Sequence, residues 1–567
     1  NGDVQIYDDV VLLSGELKGS GKLKLENGVT ITVTGGTLDA APDFGNPVYV
    51  VYDGATSTSG PELPAIGSGD NADVTVSNAG VILGANALIR DLTLSSGYFT
   101  IGANTLEMTG DLTDGTKQLV GDATSFLVLN GANAFTTPSY MNNLGDLTAN
   151  RTSGVSMGGN LEVHGTLTLG DDLLPGFAVG AHTLTLNNAI QNPANQTKLI
   201  ADGTSSITIA GTSAGIVVPT SVTALNNLTL VNANGTGLQG GLTLNSLTLT
   251  DGLLTLGTHN LSTAAITHNS VLPQDSYILT NADVTGRFTI RDVTVPVVLP
   301  IGYSSGSYTP VTLGNNFSTD YTVAINQINS MSDFTRPLPT PEASYVQLQW
   351  EITRSNNASG SVGSATFTWN PLEGYGYAPT YVGYTPNAGT VWTPAGTIVS
   401  GATTTSVSVS GIENFGSFAA YKATPVITWS NPANITYGDL LSATQLNAVA
   451  KDPTSNAEVA GSYVYDPDLG TMLSAGTHQA LTVTFNSTSL GFNRPVSKTV
   501  YIDVDQKELV IGISADNKVY NGNRTASTHA SITSGLVGTD DVTVGSTNGL
   551  FNNKNVGTGK AVTADVS

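Results

Sequence analysis

The sequence predicts an all-β chain in which a right-handed parallel β-helix, or solenoid, is followed by a β-sandwich. Apolar and polar residues alternate over short runs, a pattern typical of half-buried strands. Runs of this kind recur at a separation of 81 positions. All four tryptophans and the longer alternating runs come after residue 295, where the composition changes.

The repeat is clearest at residues 166–188, where two alternating runs flank the motif Gly180-x-His182. Equivalent motifs occur at 102–104 and 257–259. The pairs that lie 81 positions apart are Phe126 and Ile207, Leu147 and Leu228, and Leu161 and Leu242. Strands roughly 20 residues apart divide this period into about four coils, each of which covers the open apolar face of its neighbour. A β-propeller is the competing interpretation, but its four-stranded blades need about 40 residues each.

The predicted domain order follows these changes of pattern. Residues 1–295 form the β-helix, with an N-terminal cap and an irregular insert at 41–70 that contains four prolines. A cap is expected because a first coil would otherwise expose strand edges. Residues 296–423 form a β-sandwich, since longer alternating runs with aromatic residues are separated there by polar turns.

Charge and composition exclude several classes of partner. The formal net charge is -23 with only 20 Lys and Arg, whereas nucleic acid binding needs clustered cations that displace counterions from phosphates. The same shortage of cations excludes attraction to anionic membranes. The chain has no cysteine, so disulfides and thiolate metal sites are excluded. No run of 18 apolar residues occurs, and no transmembrane segment is predicted.

Residues 424–507 resemble a bacterial immunoglobulin-like repeat. The motifs that carry this resemblance are Ile435-Thr-Tyr-Gly438, the run from Leu441 to Asn447, and Tyr463-x-Tyr465-x-Pro467. Residues 508–567 are similar to a YDG-type module, in which Tyr520-Asn521-Gly522 stands in place of the usual Tyr-Asp-Gly. The chain ends inside a strand-like run, so we expect this module to be truncated and the natural protein to continue.

Together with the Leu-Thr-Leu repeats, these modules resemble giant secreted surface adhesins of the Bacteroidetes type. The resemblance implies a non-enzymatic, extracellular cell-surface adhesin or stalk segment that mediates adhesion, gliding or biofilm contacts. It implies surface glycans or other cell-surface proteins as partners, self-association, and type IX secretion machinery. Two alternatives stay open: a secreted polysaccharide-binding or polysaccharide-cleaving β-helix protein, and a subunit of a self-assembling extracellular filament.

The predicted ligand-binding site is an aromatic cluster in the sandwich. Its members are Tyr375, Tyr377, Tyr381, Tyr384 and Trp392. Exposed aromatic faces would stack on the apolar faces of sugar rings. The competing interpretation places the same side chains in the core and loops of the sandwich.

Other polar residues are interpreted as structural. His182 and His259, four coils apart at about 4.8 Å per coil, would be about 19 Å apart and could not share a metal ion. No carboxylate recurs in phase with the arginines before residue 290, which disfavours a glycosidase or lyase site. A structural calcium ion in an acidic turn stays open, although no complete calcium-loop motif occurs. Thr alternates irregularly with Ser, Asn and Glu between the repeat copies, which disfavours a flat ice-binding array.

Overall fold

The computed structural model describes the chain except residues 1, 78, 116–117, 192, 270, 281–284, 316, 328–344, 356–362, 372–378, 380, 387–392, 400–402, 404, 454–455, 489–491 and 493–494. It falls into two compact units, residues 1–421 and 422–567. Both units are built from β-strands. The helices of the described residues are three short 3-10 turns, at Ser20–Lys22, Pro193–Lys198 and Pro273–Asp275. No helix in this part of the chain is long and apolar enough to cross a membrane.

The first unit begins as a β-solenoid whose coils pair through parallel strands. One sheet contains Val10–Leu12, Thr30–Val33, Val48–Tyr52, Ala72–Val76, Leu92–Leu94 and Leu112–Thr113. A second contains Ser57–Thr58, Val81–Ile82, Tyr98–Thr100 and Gln118–Val120. A third contains Ala87–Ile89, Thr105–Met108, Phe126–Gly131, Asp146–Arg151 and Leu167–Leu169. Two short pairs, Val4–Ile6 with Leu23–Leu25 and Gly15–Leu17 with Gly36–Leu38, belong to the first coils.

Three further parallel arrays continue the stack. One contains Phe135–Thr137, Val155–Met157, Phe177–Ala178 and Leu199–Ile200. Another contains Val217–Val218, Thr236–Leu238, Leu254–Thr255, Ile278–Leu279 and Ile301–Gly302. The longest contains Asn143–Leu144, Leu161–Val163, Thr183–Leu186, Ser206–Ile209, Ala224–Val231, Leu242–Asp251, Leu261–His268 and Phe288–Val293. This parallel pairing from coil to coil is that of a solenoid, so the propeller alternative is wrong.

Columns of leucine fill the interior of the solenoid. Leu106, Leu127, Leu147 and Leu167 lie directly opposite one another on successive coils. A second column consists of Leu184, Ile207, Leu228 and Leu247. All of these side chains are buried. Each coil therefore covers the apolar face of the next, as the repeat predicted.

The repeat is also present in identical turns. Asp122 accepts hydrogen bonds from the backbone N–H and the hydroxyl of Thr124, and Asp202 does the same with Thr204. These hydrogen bonds lower the pKa of both carboxyls, the side-chain bond to the threonine having the largest effect. The matched turns give a spacing of 80 residues here, so the predicted pairing of Phe126 with Ile207 is wrong. Leu127 is the counterpart, and Phe126 is exposed.

Asn and Asp side chains connect one coil to the next at the turns. Each accepts a hydrogen bond from a backbone N–H roughly one coil away. Such bonds join Asn27 to Asn46, Asn86 to Thr105, Asp146 to Thr166, Asn160 to Thr183 and Asn260 to Arg287. Because backbone groups at turns have no ladder partner, these side chains satisfy them. The Asn residues at these turns therefore have a structural role.

Antiparallel strands follow the solenoid within the first unit. The longest sheet continues with Thr319–Gln327, Leu348–Arg354, Ser417–Tyr421, Tyr381–Thr385 and Thr393–Pro394. A second antiparallel sheet contains Val297–Leu299, Val311–Asn315, Gly363–Thr368, Ser406–Ile412 and Thr397–Val399. Trp350 of the first sheet contacts Phe367 of the second, with ring centroids 4.9 Å apart. One hydrophobic core runs without a break from Leu12 to Ala420.

The second unit has a core of its own. Its four-stranded sheet contains Ile435–Thr436, Val496–Asp505, Gly476–Ser487 and Gly461–Asp466, and a smaller pair contains Val426–Thr428 and Val449–Lys451. Trp429, Leu481 and Phe485 are among its buried residues. Two further hairpins pair Val510–Ala515 with Thr528–Ser534 and Ser546–Phe551 with Val562–Val566. Tyr437 contacts this last part of the chain by donating a hydrogen bond to Asp540 at 2.8 Å.

Candidate functional site

Two members of the predicted aromatic cluster lie in the described residues, and they occupy one strand. Tyr381 is half-buried and stacks on Tyr421 across the sheet, with ring centroids 5.8 Å apart. Tyr384 is half-buried and packs against Phe418, with centroids 5.6 Å apart. Positions three apart on a strand point to opposite faces of the sheet. Tyr381 and Tyr384 therefore do not form one flat platform.

The rest of that predicted cluster, Tyr375, Tyr377 and Trp392, lies outside the described residues. Other aromatic residues of the same region are core residues, since Trp350 and Trp369 are buried and their rings are 6.4 Å apart. Burial raises the pKa of the Tyr421 hydroxyl. Of the two predicted ligand-binding residues that the structure describes, Tyr381 forms a stacked ring pair with Tyr421 that could contact a sugar.

A column of three carboxylates, which the sequence patterns did not reveal, crosses successive coils of the solenoid. Val74, Leu92 and Leu112 lie opposite one another, and each is preceded by an aspartate. We call Asp73, Asp91 and Asp111 the acidic column. Neighbouring members are about 4.8 Å apart along the stack. The prediction that no carboxylate recurs in phase with an arginine is therefore wrong, because Arg90 lies against this column.

Every carboxylate of the acidic column has a partner in the protein. Arg90 binds both oxygens of Asp73 and lies 3.3 Å from Asp91, and the hydrogen bond to Asp73 is the main cause that raises the pKa of Arg90. Asp91 accepts a hydrogen bond from the backbone N–H of Asp111 at 2.7 Å. The Asn133 amide lies 3.2 Å from both oxygens of Asp111. These bonds fix the side chains of the column, and the Arg90 guanidinium compensates part of its negative charge.

A buried arginine lies close to this column. Arg151 is fully buried, and its guanidinium donates to the backbone carbonyls of Gly110 at 2.7 Å and Met108 at 3.0 Å. Its charge also lies 5.0 Å from the ring centroid of Phe135. Burial lowers the pKa of Arg151, while Asp111 and Asp91 act in the opposite direction. One side chain thus connects strands of three successive coils.

The outer surface of the longest sheet carries a regular column of threonines. Thr185, Thr208, Thr229, Thr248 and Thr267 lie directly opposite one another on five consecutive strands. Beside this threonine column, a second column contains Thr183, Ser206, Asn227 and Ser246. Neither column contains a charged residue. The second column and Glu162, which lies opposite Thr185, show the expected irregular alternation, whereas the threonine column is regular over five strands.

The threonine hydroxyls are available to bind partners. Within the described residues none of the five side-chain hydroxyls has a hydrogen bond, whereas outward pairs elsewhere, such as Thr482 with Thr499 at 2.9 Å, bond to each other. The threonine column therefore presents methyl and hydroxyl groups at a fixed repeat.

An open groove beside a neighbouring sheet has a volume of about 430 Å³. Its lining residues are Gly215, Ile216, Val217, Ala233, Asn234, Gly235, Thr236, Gly237, Leu253, Thr255, Leu279 and Ser305. None of them is charged. The groove offers amide, hydroxyl and backbone groups but no acid or base for proton transfer.

The predicted separation of the histidines is confirmed. The strand after His182, Thr183–Leu186, and the strand after His259, Leu261–His268, are four pairings apart in one sheet. Across the described residues, no group of three or more His, Asp or Glu side chains converges on a point where a metal could bind. In two acidic turns, at residues 70–73 and 540–541, Asp73 is bound to Arg90 and Asp540 to the Tyr437 hydroxyl.

A model of the YDG domain matches residues 505–567. Comparison with curated proteins and with solved structures found no match. The YDG match and the β-solenoid both fit a surface-type adhesin.

Proposed function

We propose that this chain is a segment of a non-enzymatic extracellular adhesin or stalk at the cell surface. The observation that carries the proposal is an uncharged region on the outer face of the longest sheet, which runs over five strands from Thr183–Leu186 to Leu261–His268. Five threonines in register, with Ser and Asn beside them, offer many weak contacts rather than one catalytic centre. Weak contacts repeated along a rigid scaffold add through effective concentration.

Surface glycans and other cell-surface proteins are the proposed partners. Hydroxyl and methyl groups at a repeat of about 4.8 Å suit a repeating hydroxylated polymer, which offers donors, acceptors and apolar ring faces. Export by type IX secretion, gliding and biofilm contacts belong to the same proposal, which the YDG match supports.

The finer architecture is also proposed here. We infer that the coils turn in the right-handed sense, because crossovers between parallel strands of a sheet are right-handed in nearly all proteins. Residues 296–423 are proposed to be a β-sandwich that ends the solenoid, on the support of the contact between Trp350 and Phe367 across two sheets. Residues 424–507 are proposed to be an immunoglobulin-like spacer, with Trp429 and Phe485 in its core.

The experiment for adhesion compares two faces of the same solenoid. The full chain is tested against a glycan array and insoluble polysaccharides, with the double variant Thr208→Lys, Thr229→Lys on the threonine column. The matched control is Thr75→Lys, Thr93→Lys, two half-buried threonines that lie opposite each other on a different sheet. Binding is expected to fall at least tenfold for the first variant and to stay unchanged for the control.

A different result would contradict the proposal. Equal loss in both variants indicates unfolding, and circular dichroism of each variant identifies that case. Absence of binding of the folded chain to every glycan and cell surface tested contradicts adhesion. Binding that survives the threonine variant but is lost in Tyr381→Ala moves the site to the aromatic strand.

The acidic column supports one alternative, polysaccharide cleavage. Asp91, Asp111 and Arg90 place two carboxylates and a cation on neighbouring coils, the combination that sugar cleavage uses. All three groups are bonded within the protein, however, and we infer a structural role for them. Release of reducing ends or unsaturated products from polysaccharides, abolished by Asp91→Asn, would reverse this conclusion.

A further inference from the structure

The dipeptide Asn–Gly occurs at five places in the described residues, and it is the sequence at which asparagine most easily loses its side-chain amide. The backbone nitrogen of the glycine can attack the side-chain carbonyl carbon, because glycine has no Cβ to hinder the approach. The five pairs begin at Asn27, Asn130, Asn234, Asn521 and Asn548. The same chemistry is therefore offered in five environments, which the structure distinguishes.

Two of the pairs are held through the attacking nitrogen. The Gly28 N–H donates a hydrogen bond to the Pro47 carbonyl at 2.8 Å. The Gly235 N–H donates to the Asn232 carbonyl at 2.7 Å, and Gly235 is buried. An N–H with an acceptor must lose that hydrogen bond before its nitrogen can attack a carbonyl, which adds to the barrier.

Two other pairs are held through the asparagine side chain. The Asn130 amide donates to Glu107 at 2.7 Å, and both residues of this pair are half-buried. The Asn548 amide donates to Asp565 at 2.8 Å, and Gly549 is buried. Turning either amide toward its glycine nitrogen would break these hydrogen bonds.

The pair Asn521 and Gly522 has none of these restraints. Both residues are exposed in the loop between Val510–Ala515 and Thr528–Ser534. Residues 495–567 are all described, and within them neither the Asn521 amide nitrogen nor the Gly522 backbone N–H has a hydrogen-bond partner. Nothing lies within 4 Å of the position that a Cβ on Gly522 would occupy. The attack is therefore open at this position.

One hydrogen bond at this loop favours the attack. The Asn523 backbone N–H donates to the side-chain oxygen of Asn521 at 3.3 Å. Negative charge develops on that oxygen when the carbonyl carbon is attacked, and a donor already aimed at it stabilises the charge. Lys518 and Thr525 both donate to the Asn523 side chain, which holds this donor in place.

We propose that Asn521 is a site of spontaneous deamidation, at which the chain is modified without an enzyme. The Gly522 nitrogen forms a bond to Cγ of Asn521, and its proton passes through water to the amide nitrogen, which leaves as ammonia when the Cγ–Nδ2 bond breaks. Water then opens the succinimide ring at either carbonyl and yields aspartate or isoaspartate. The aspartate product has the sequence Tyr-Asp-Gly, which is usual in YDG-type modules. Its carboxylate accepts the Asn523 N–H more strongly than the amide oxygen does.

Mass-spectrometric peptide mapping of the full folded chain, incubated at neutral and at mildly alkaline pH, tests this proposal. Conversion at Asn521 is expected to be roughly tenfold or more faster than at Asn27, which corresponds to a barrier lower by about 1.4 kcal/mol. Both pairs are exposed, so the comparison tests the hydrogen bonds that hold the Asn27 pair. The rate should rise with pH, because the attacking nitrogen must lose its proton. In denaturant the two rates should converge.

Gly522→Ala puts a Cβ beside the attacking nitrogen and is expected to slow conversion roughly tenfold or more. The matched control is Gly538→Ala, the same change at another exposed glycine of this module with positive φ and open space around its Cβ position. It should convert at Asn521 like the wild type, and circular dichroism checks that both variants are folded.

Isoaspartate is the second readout, because opening of the ring yields it, whereas direct hydrolysis of the amide yields aspartate alone. Isoaspartate together with aspartate at position 521 is the expected result. Aspartate without isoaspartate overturns the proposal. Conversion at Asn521 that is no faster than at Asn27 in the folded chain, or that keeps its rate in Gly522→Ala, also overturns it.

Discussion

Replacing the buried arginine of the solenoid, Arg151→Met, should open the stack locally. The change keeps a long apolar side chain but removes the donors to the Gly110 and Met108 carbonyls, both in buried residues. Each buried carbonyl left without its partner costs about 1–3 kcal/mol. The substitution also removes the desolvation penalty of the buried Arg151 charge, which offsets part of this cost. We therefore expect a net destabilisation of about 2–4 kcal/mol.

Hydrogen exchange is the suitable assay, because coils of a solenoid contact only their neighbours and open locally. About 1.4 kcal/mol corresponds to a tenfold change in an equilibrium constant. The protection factors of amides near residues 108–111 and 131–151 should therefore fall roughly thirtyfold to several hundredfold. Arg90→Met is the control, since its partly exposed ion pairs are worth about 1 kcal/mol or less. Unchanged protection around residue 110 in Arg151→Met would refute the reasoning.

Three further changes have expected outcomes. Leu228→Ala in the buried leucine column should cost about 2–5 kcal/mol in urea unfolding, whereas outward Thr229→Ala should cost about 0.5 kcal/mol or less; equal effects would contradict the assigned faces. Gly252→Ala should destabilise the solenoid strongly, because the added Cβ would clash with the Asn232 carbonyl oxygen. Gly257→Ala should cost only about 1–2 kcal/mol, because its added Cβ would face open space. Backbone and hydroxyl hydrogen bonds, first that from Gly19, lower the pKa of Asp39 from 3.8 to about 2. The lowered pKa of Asp39 stabilises the folded chain at pH values above the pKa of this group in the unfolded chain, and this stabilisation is lost as the pH falls toward 2. Asp39→Asn should therefore make the free energy of unfolding less dependent on pH over that interval. An unchanged acid transition would contradict this.

Much of the solenoid could be predicted because its signal is repeated many times. Alternation and the recurring Gly-x-His and Gly-x-Asn steps were enough to give stacked coils, and Gly102, Gly180 and Gly257 all adopt positive φ. The face of a single residue was harder to predict. A shift of one position moves a side chain from the core to solvent. The spacing is 80 residues at Asp122 and 81 at Leu147, so Phe126 was placed on the wrong face.

The candidate sites were predicted less well because they depend on register between coils. Asp73, Asp91 and Asp111 are separated by 18 and 20 residues, so no fixed period connects them in the sequence. The threonine column similarly results from coils of unequal length brought into line by pairing. Tyr381 and Tyr384 were predicted to belong to one aromatic cluster, although residues three apart on a strand face opposite ways.

The coil-to-coil pairing of the solenoid has a mechanical consequence. The hydrogen bonds between coils run along the stack, so tension along this axis pulls directly on them. A coil that peels away releases about 20 residues, which at about 3.3–3.6 Å per residue add roughly 70 Å of length. Where side-chain bonds join Asn or Asp to the next coil, they resist that step. Under load, the first unit would therefore lengthen in discrete steps and dissipate energy at each one, instead of failing all at once.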